Sequence, residues 1–322
     1  MLNMEIKNIQ NISEDIKKNI QRVIVGKDNV IDLMITSMIC SGHVLLEDVP
    51  GLGKTMLAKA LAKSVDSSFK RIQFTPDLLP ADLTGVNFYN QKTGDFQFRQ
   101  GPIMSQIVLA DEINRATPRT QSSLLEAMEE HQVSVDGNTY KLDEPFFVIA
   151  TQNPVETGGT FPLPEAQLDR FFMQLSMEYP DFDEELLILK RFKSDNPIGE
   201  LKSVVKASDI IEARESFTQV YVDDEIIKYI LKIVRSTRNH DEIELGISPR
   251  GSMALFRGAQ AYAAINGRDY VLPDDVKKLI KPIFIHRIVL GGYASVNGRT
   301  VEDILTEIVS KINTPVENIK AI

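Results

Sequence analysis

The sequence predicts a mixed α/β fold: a three-layer core around a mostly parallel sheet, followed by a C-terminal all-helical domain. Three observations predict it. Short apolar runs alternate with helical patterns between Val44 and Met177, as strands joined by crossover helices do. A glycine-rich turn, Pro50 to Gly53, joins the first such run to a helix. Beyond Met177 the strand signals fade and helical spacing takes over.

The elements follow in order. Ile6, Ile9, Ile12, Ile16, Ile20 and Val23 recur at the spacing of one helical face. A second helix covers Asp28 to Cys40, Val44–Leu46 is a short buried strand, and Lys54 to Val65 is a helix. Further strands are expected at Arg71–Phe74, Ile107–Ala110, Phe146–Thr151 and Phe172–Met177. Helices are expected over Asp183–Phe192, Ala207–Phe217, Asp223–Thr237, Pro249–Ile265, Pro273–His286 and Val301–Ile312. The composition shift at Glu178–Asp183 sets the expected boundary, giving a core over residues 1–182 and a helical domain over 183–322.

Two hairpins interrupt the core, near residues 85–100 and 132–143. In the first, Val86 and Phe88 are expected to face Phe96 and Phe98; in the second, Val133 and Val135 face Tyr140 and Leu142 across Asp136–Gly137–Asn138. Asp-Gly between alternating strands is a strong hairpin signal. The hairpins either extend the core or are insertions that move.

Composition narrows the function classes. The 322 residues suffice for two domains. The net charge of −9 argues against a broad nucleic-acid footprint. Cys40 is the only cysteine, which excludes an intramolecular disulfide and a cysteine-based metal site. His43, His131, His240 and His286 are scattered and read as structural or surface residues. Nothing near the start reads as a signal peptide, and Val30 to Cys40 is too short to span a bilayer. A cytoplasmic enzyme without membrane insertion is expected.

Residues 44–55, VLLEDVPGLGKT, closely match the phosphate-loop pattern G-x-x-x-x-G-K-[ST] between a strand and a helix. Gly51 and Gly53 let main-chain N–H groups turn toward phosphate oxygens, and the following helix adds its positive end. Pro50, Gly51, Leu52, Gly53, Lys54, Thr55 and Met56 form the expected nucleotide-contacting set. Lys54 would reach the β- and γ-phosphates, and Thr55 would offer its hydroxyl to Mg²⁺. Asp48 stands where the pattern has its first glycine, which an L-residue tolerates if its φ is negative.

Residues 107–112, IVLADE, are an apolar strand ending in two acids. Behind a phosphate loop, Asp111 suits Mg²⁺ and Glu112 suits activation of the attacking water. Asn153 can hydrogen-bond that water and the γ-phosphate, or it can simply form the turn before Pro154. Arg250 falls at the second position of a helix capped by Ser248, where a cation opposes the helix dipole. A phosphate or a neighbouring carboxylate would offset it. Arg170, Arg115 and Arg119 can be surface ion-pair partners or can act on ATP held by a neighbouring subunit.

With these motifs in order, the sequence resembles the MoxR family of AAA+ ATPases over nearly its whole length. The most specific pieces are EDVPGLGKT (47–55), ADEINRATPRTQSSLLEAMEE (110–130), ATQNPVETGGTFPLPEAQLDRFF (150–172) and SPRGSMALFRGAQAYAAINGRDYVLPDDV (248–276). The resemblance implies an AAA+ P-loop core with a helical lid, and ATP and Mg²⁺ as cofactors. It implies that Asn153 is sensor 1, Arg250 sensor 2, and Arg170 the trans-acting finger. Val25 and Gly26 would form part of the adenine pocket. The hairpins would correspond to the helix-2 insert and the pre-sensor-1 hairpin. It also implies a homo-oligomeric ring, typically a hexamer, acting as a chaperone-like motor on protein partners that often carry a von Willebrand factor A domain.

Two alternatives differ in class. A nucleic-acid motor or loader is disfavoured by the net charge and by sparse cations, Lys92 and Arg99 on the first hairpin and Lys141 on the second. A scaffold that only holds ATP has no need of a water-activating acid at Glu112.

Overall fold

The computed structural model of the chain describes residues 2–154, 158–192 and 197–315. Val155, Glu156 and Thr157 of the 150–172 stretch therefore lie outside the described residues. Residues 12–214 form one compact unit, and residues 1–11 with 215–322 form the other.

Helices α1 (Leu2–Gln21) and α2 (Asp28–Ile39) open the chain. The isoleucine stripe of α1 is buried along its length, as its spacing predicts. The order then runs β1 (Val44–Glu47), α3 (Lys54–Ser64), β2 (Phe69–Gln73), α4 (Pro80–Thr84), β3 (Gly85–Asn90), β4 (Asp95–Gln100) and β5 (Ile107–Asp111). It continues with α5 (Pro118–Glu130), β6 (Gln132–Val135), β7 (Asn138–Lys141), β8 (Phe147–Gln152), α6 (Glu165–Leu168), β9 (Met173–Leu175), α7 (Phe182–Arg191) and α8 (Ala207–Ser216).

Five strands form one parallel sheet in the order β2-β5-β8-β1-β9. The apolar runs of β1, β5 and β8 lack polar alternation because both faces are covered. After β1 the chain crosses to the far edge, returns through β5 and β8, and places β9 on the other side of β1. Such a reversal leaves a crevice beyond the carboxyl ends of the strands, where open α/β sheets take ligands.

Both hairpins form their own two-stranded ribbons, and neither joins the main sheet. The second has the expected facing, with Val133 opposite Tyr140 and a two-residue turn in which Asp136 and Gly137 both have positive φ. The first corrects the expectation. Its register pairs Val86 with Arg99, Phe88 with Gln97 and Tyr89 with Phe96, so Val86 and Phe88 lie on the face opposite Phe96 and Phe98. The loop closes on the Asn90–Asp95 pair, tightened by Gly94 N–H to Asn90 O at 2.8 Å. A one-residue difference in that closure moves every side chain to the other face. Phe98 stacks on Tyr140 with ring centroids 4.1 Å apart, and Asn87 donates to Asp136 at 2.8 Å, so the two ribbons are tied together.

The second unit contains α9 (Asp224–Arg238), β10 (Ile243–Leu245), α10 (Pro249–Ile265), α11 (Pro273–Phe284), β11 (Val289–Leu290), α12 (Gly292–Val296) and α13 (Val301–Lys311). It is helical apart from the antiparallel ribbon β10–β11, two segments too short for a period-two pattern to announce. Caps fix the helix starts. Asp223 accepts from Glu225 N–H at 2.8 Å, Ser248 from Gly251 N–H at 3.2 Å, and Thr300 with Asp303 forms a capping box.

His43, just before β1, is a structural histidine. Its Nδ1 accepts from the Val148 N–H and its Nε2 lies on the Met128 carbonyl, both at 3.0 Å. Burial pushes the imidazole down to about 3. The unfolded chain therefore binds a proton that the folded chain refuses between about 6.5 and 3, and stability falls as pH drops through that window. Urea unfolding at pH 7 and pH 5 should show wild type losing about 1–2 kcal/mol more than His43→Asn over this interval. Equal losses would contradict the assignment.

Candidate active site

Nine of the residues expected to hold nucleotide or metal or to act on them line one cavity of about 340 Å³ at the carboxyl ends of the strands: Pro50, Gly51, Gly53, Lys54, Thr55, Met56, Asp111, Glu112 and Asn153. Asp48, Arg71, Gln73 and Thr151 complete its lining. Val25, Gly26, Leu52 and Arg170 do not line it. Arg250 belongs to the other unit, at the second position of α10 behind the Ser248 cap and Pro249.

The loop between β1 and α3 owes its shape to its glycines. Gly51 and Gly53 have φ of +92° and +85°, a region that favours glycine. An added Cβ at either would meet nothing within 4 Å, so backbone conformation and not crowding demands glycine there, and open space lies beside the main chain. Gly53 is the N-cap of α3, which brings the unpaired N–H groups of the first helical turn to the cavity.

Asp48 keeps out of the positive-φ region, as the departure from the glycine pattern requires. Its side chain is buried and does a specific job. Oδ1 accepts from Ser176 Oγ at 2.6 Å and Oδ2 from the Met177 N–H at 2.7 Å, fastening the loop entrance to the chain just beyond β9. Its carbonyl accepts from Lys54 Nζ at 2.9 Å. Burial lowers the Lys54 pKa, against the pull of Asp48, Asp111 and Glu112.

Thr151 is the hub of the acidic end. Its hydroxyl donates to Asp111 Oδ1 at 2.6 Å and accepts from the Glu112 N–H at 2.8 Å. Glu112 has φ +57°, a left-handed conformation that costs a non-glycine residue about 1–2 kcal/mol. This turn gives the two consecutive acids different surroundings. Arg71 donates to Asp111 Oδ2, while Gln73 Nε2 and Arg115 Nε lie 2.7 and 3.1 Å from Glu112 Oε2.

Sequence reasoning missed Arg71, Gln73 and Thr151 as site residues. For Arg71 and Gln73 the available signal was polarity at alternate positions of a short strand. Thr151 gave none.

Of the three candidate arginines, Arg115 pairs with Glu112 of its own chain, Arg170 Nε lies 3.2 Å from Glu129 Oε2, and Arg119 is exposed at the start of α5. Val25 and Gly26 sit in a segment fastened to α7. Lys27 pairs with Glu184 at 3.4 Å, and Arg191 donates to the Gln21 carbonyl at 2.6 Å. A Cβ on Gly26 would fall 1.8 Å from Glu184 Oε1.

The set can grip a phosphate chain with main-chain N–H groups and Lys54, hold a divalent cation with Thr55 and Asp111, and present Glu112 as a base. Asp48→Gly, although it restores the generic loop pattern, should destabilise the protein by roughly 1–3 kcal/mol by orphaning the Met177 N–H and Ser176 hydroxyl. It should also weaken nucleotide binding. Chemical unfolding and nucleotide titration of the variant check this, and wild-type values in both would contradict the fastening role.

Comparison with known proteins points to one family. Residues 43–173 match the ATPase family associated with various cellular activities (AAA), and residues 235–308 match the AAA lid domain. The chain is 54% identical to YeaC of Bacillus subtilis, over 93% of this chain and 94% of that protein. It is 37% identical to the chaperone MoxR1 of Mycobacterium tuberculosis, over 93% of this chain and 81% of the relative. A crystal structure of a protein from Cytophaga hutchinsonii superposes with a TM-score of 0.91 at 40% identity, covering 97% of this chain and 98% of that one. The phosphate loop, the acidic strand end, the lid and the extent of these likenesses together make this chain a member of the MoxR family of AAA+ ATPases.

Proposed function

We propose that the chain binds magnesium ATP in the cavity beside α3, hydrolyses it, and uses the cycle to remodel or activate protein partners. The observation that carries this reading is the convergence in one cavity of two positive-φ glycines, Lys54, Thr55, Asp111, Glu112 and Asn153. The open space beside Gly51 and Gly53 suits a phosphate chain, and the oxygens of Thr55 and Asp111 suit a hard divalent cation. Bound magnesium would neutralise charge on the phosphate oxygens.

The remaining roles belong to the chain. Glu112 orients the attacking water and takes its proton, and Asn153 holds that water against the terminal phosphate. Lys54 leaves the Asp48 carbonyl for the phosphates. Pro50, Leu52 and Met56 border the bound nucleotide, and Val25 and Gly26 contact the adenine. Arg250, within the lid match at residues 235–308, senses the phosphates. Arg170 exchanges Glu129 for ATP in a neighbouring copy, which makes the active form a homo-oligomer, in this reading a hexameric ring. The tied hairpins transmit the change to a protein client, with a von Willebrand factor A domain as the leading class. The M. tuberculosis relative's description as a chaperone supports the remodelling role. No helix among the described residues is long and apolar enough to cross a membrane; the proposed place of action is the cytoplasm.

Glu112→Gln keeps the shape of the side chain and removes the base. It should retain ATP affinity while turnover falls about 100-fold or more. Equal turnover in variant and wild type would remove Glu112 from the role. Arg170→Ala should also be inactive alone but regain part of its activity when mixed with Lys54→Ala subunits, because mixed rings restore some complete sites. No recovery in mixed assemblies would count against an arginine acting between copies.

A further inference from the structure

Strand β2 lies at the edge of the sheet, and its alternate residues Arg71 and Gln73 reach the two acids that end β5. The guanidinium of Arg71 donates twice to one oxygen, Asp111 Oδ2, from Nε at 3.0 Å and Nη2 at 2.6 Å. Nη2 also donates to Gln73 Oε1 at 2.9 Å, and Gln73 Nε2 in turn donates to Glu112 Oε2 at 2.7 Å. The other oxygen of Asp111 accepts from Thr151.

A carboxylate oxygen has two lone-pair directions, so the two donors of Arg71 fill those of Oδ2. A divalent cation held by Asp111, directly or through its water, would draw on the same delocalised negative charge. It would also meet a full positive charge across that oxygen. The Arg71 side chain is 47% exposed and has solvent to move into, whereas the Asp111 side chain, at 15%, does not.

We propose that Arg71 is a resident counter-ion of Asp111, a latch whose charge and donors compete with the divalent cation for that carboxylate. The inference rests on the proposed magnesium-nucleotide site. Arg71 is a positioning residue acting through Asp111. Its departure also removes the donor that orients the Gln73 carboxamide toward Glu112, so cation entry loosens the hold on the base. Lysine at this position would keep the charge but give up the planar pair of donors, and should compete less well.

The test is calorimetric titration of the full chain with ADP and with a non-hydrolysable ATP analogue, each in excess magnesium and in EDTA. Wild type, Arg71→Gln and Arg71→Lys are compared. The readout is the ratio of magnesium-dependent to magnesium-free affinity, which a purely structural defect would leave unchanged because it weakens both. The ratio should rise roughly two- to five-fold in Arg71→Gln, the scale of one partly exposed ion pair, and by less in Arg71→Lys. The same ratio in all three proteins would overturn the latch and leave the proposed function standing. A lower ratio in Arg71→Gln would also overturn it, indicating that Arg71 assists the magnesium nucleotide. No binding by wild type in either buffer would overturn the proposed function and the latch with it.

Discussion

The parallel register of β5, β8 and β1 is the constraint on which the site depends. Ala110 pairs with Ala150, and Glu47 with Gln152, so these three central strands end at nearly one level. Asp111 thereby comes beside Thr151, and Asp48 follows directly from β1. Because the strands are buried on both faces, a slip in register would displace packed apolar side chains as well as the site. The core thus holds the polar groups at the sheet's edge in place without those groups having to contribute much stability themselves.

Around that edge, charges are held in tension. Lys54 is partly withdrawn from water and faces three carboxylates, Asp48, Asp111 and Glu112. Each acid is nevertheless engaged in its own way: Asp48 by a hydroxyl and a main-chain N–H, Asp111 by Arg71 and Thr151, Glu112 by Gln73 and Arg115. The left-handed turn at Glu112 gives its carboxylate partners different from those of the Asp111 carboxylate, although its N–H still donates to Thr151. Asp48 is therefore committed to architecture, while the other two acids also have exposed or half-buried partners, Arg71, Gln73 and Arg115, with solvent to move into. That division suits a site in which the loop stays fixed and the acids exchange partners.

Much of this was legible in the chain. The phosphate loop, the acidic strand end and the order of strands and helices are local patterns, and nine of the residues expected to hold nucleotide or metal or to act on them line one cavity. Where local pattern was thin the expectation slipped. The first hairpin was displaced by one residue because its loop lacks the Asp-Gly pair that fixed the second. The ribbon of β10 and β11 was invisible because two or three residues carry no period.

The sequence by itself determined the strands of the main sheet and the long helices, the glycine-dependent loop and the identity of the acids, because these follow from side-chain chemistry and from spacing within one turn or strand. Only the tertiary structure decided that Asp48 is a fastening, since its partners lie 128 and 129 residues further along the chain. It also decided that Arg71 lies on Asp111 across 40 residues. Such pairings are set by which strands become neighbours and in what register, and that outcome is governed by the packing of the whole core and is written in no single segment.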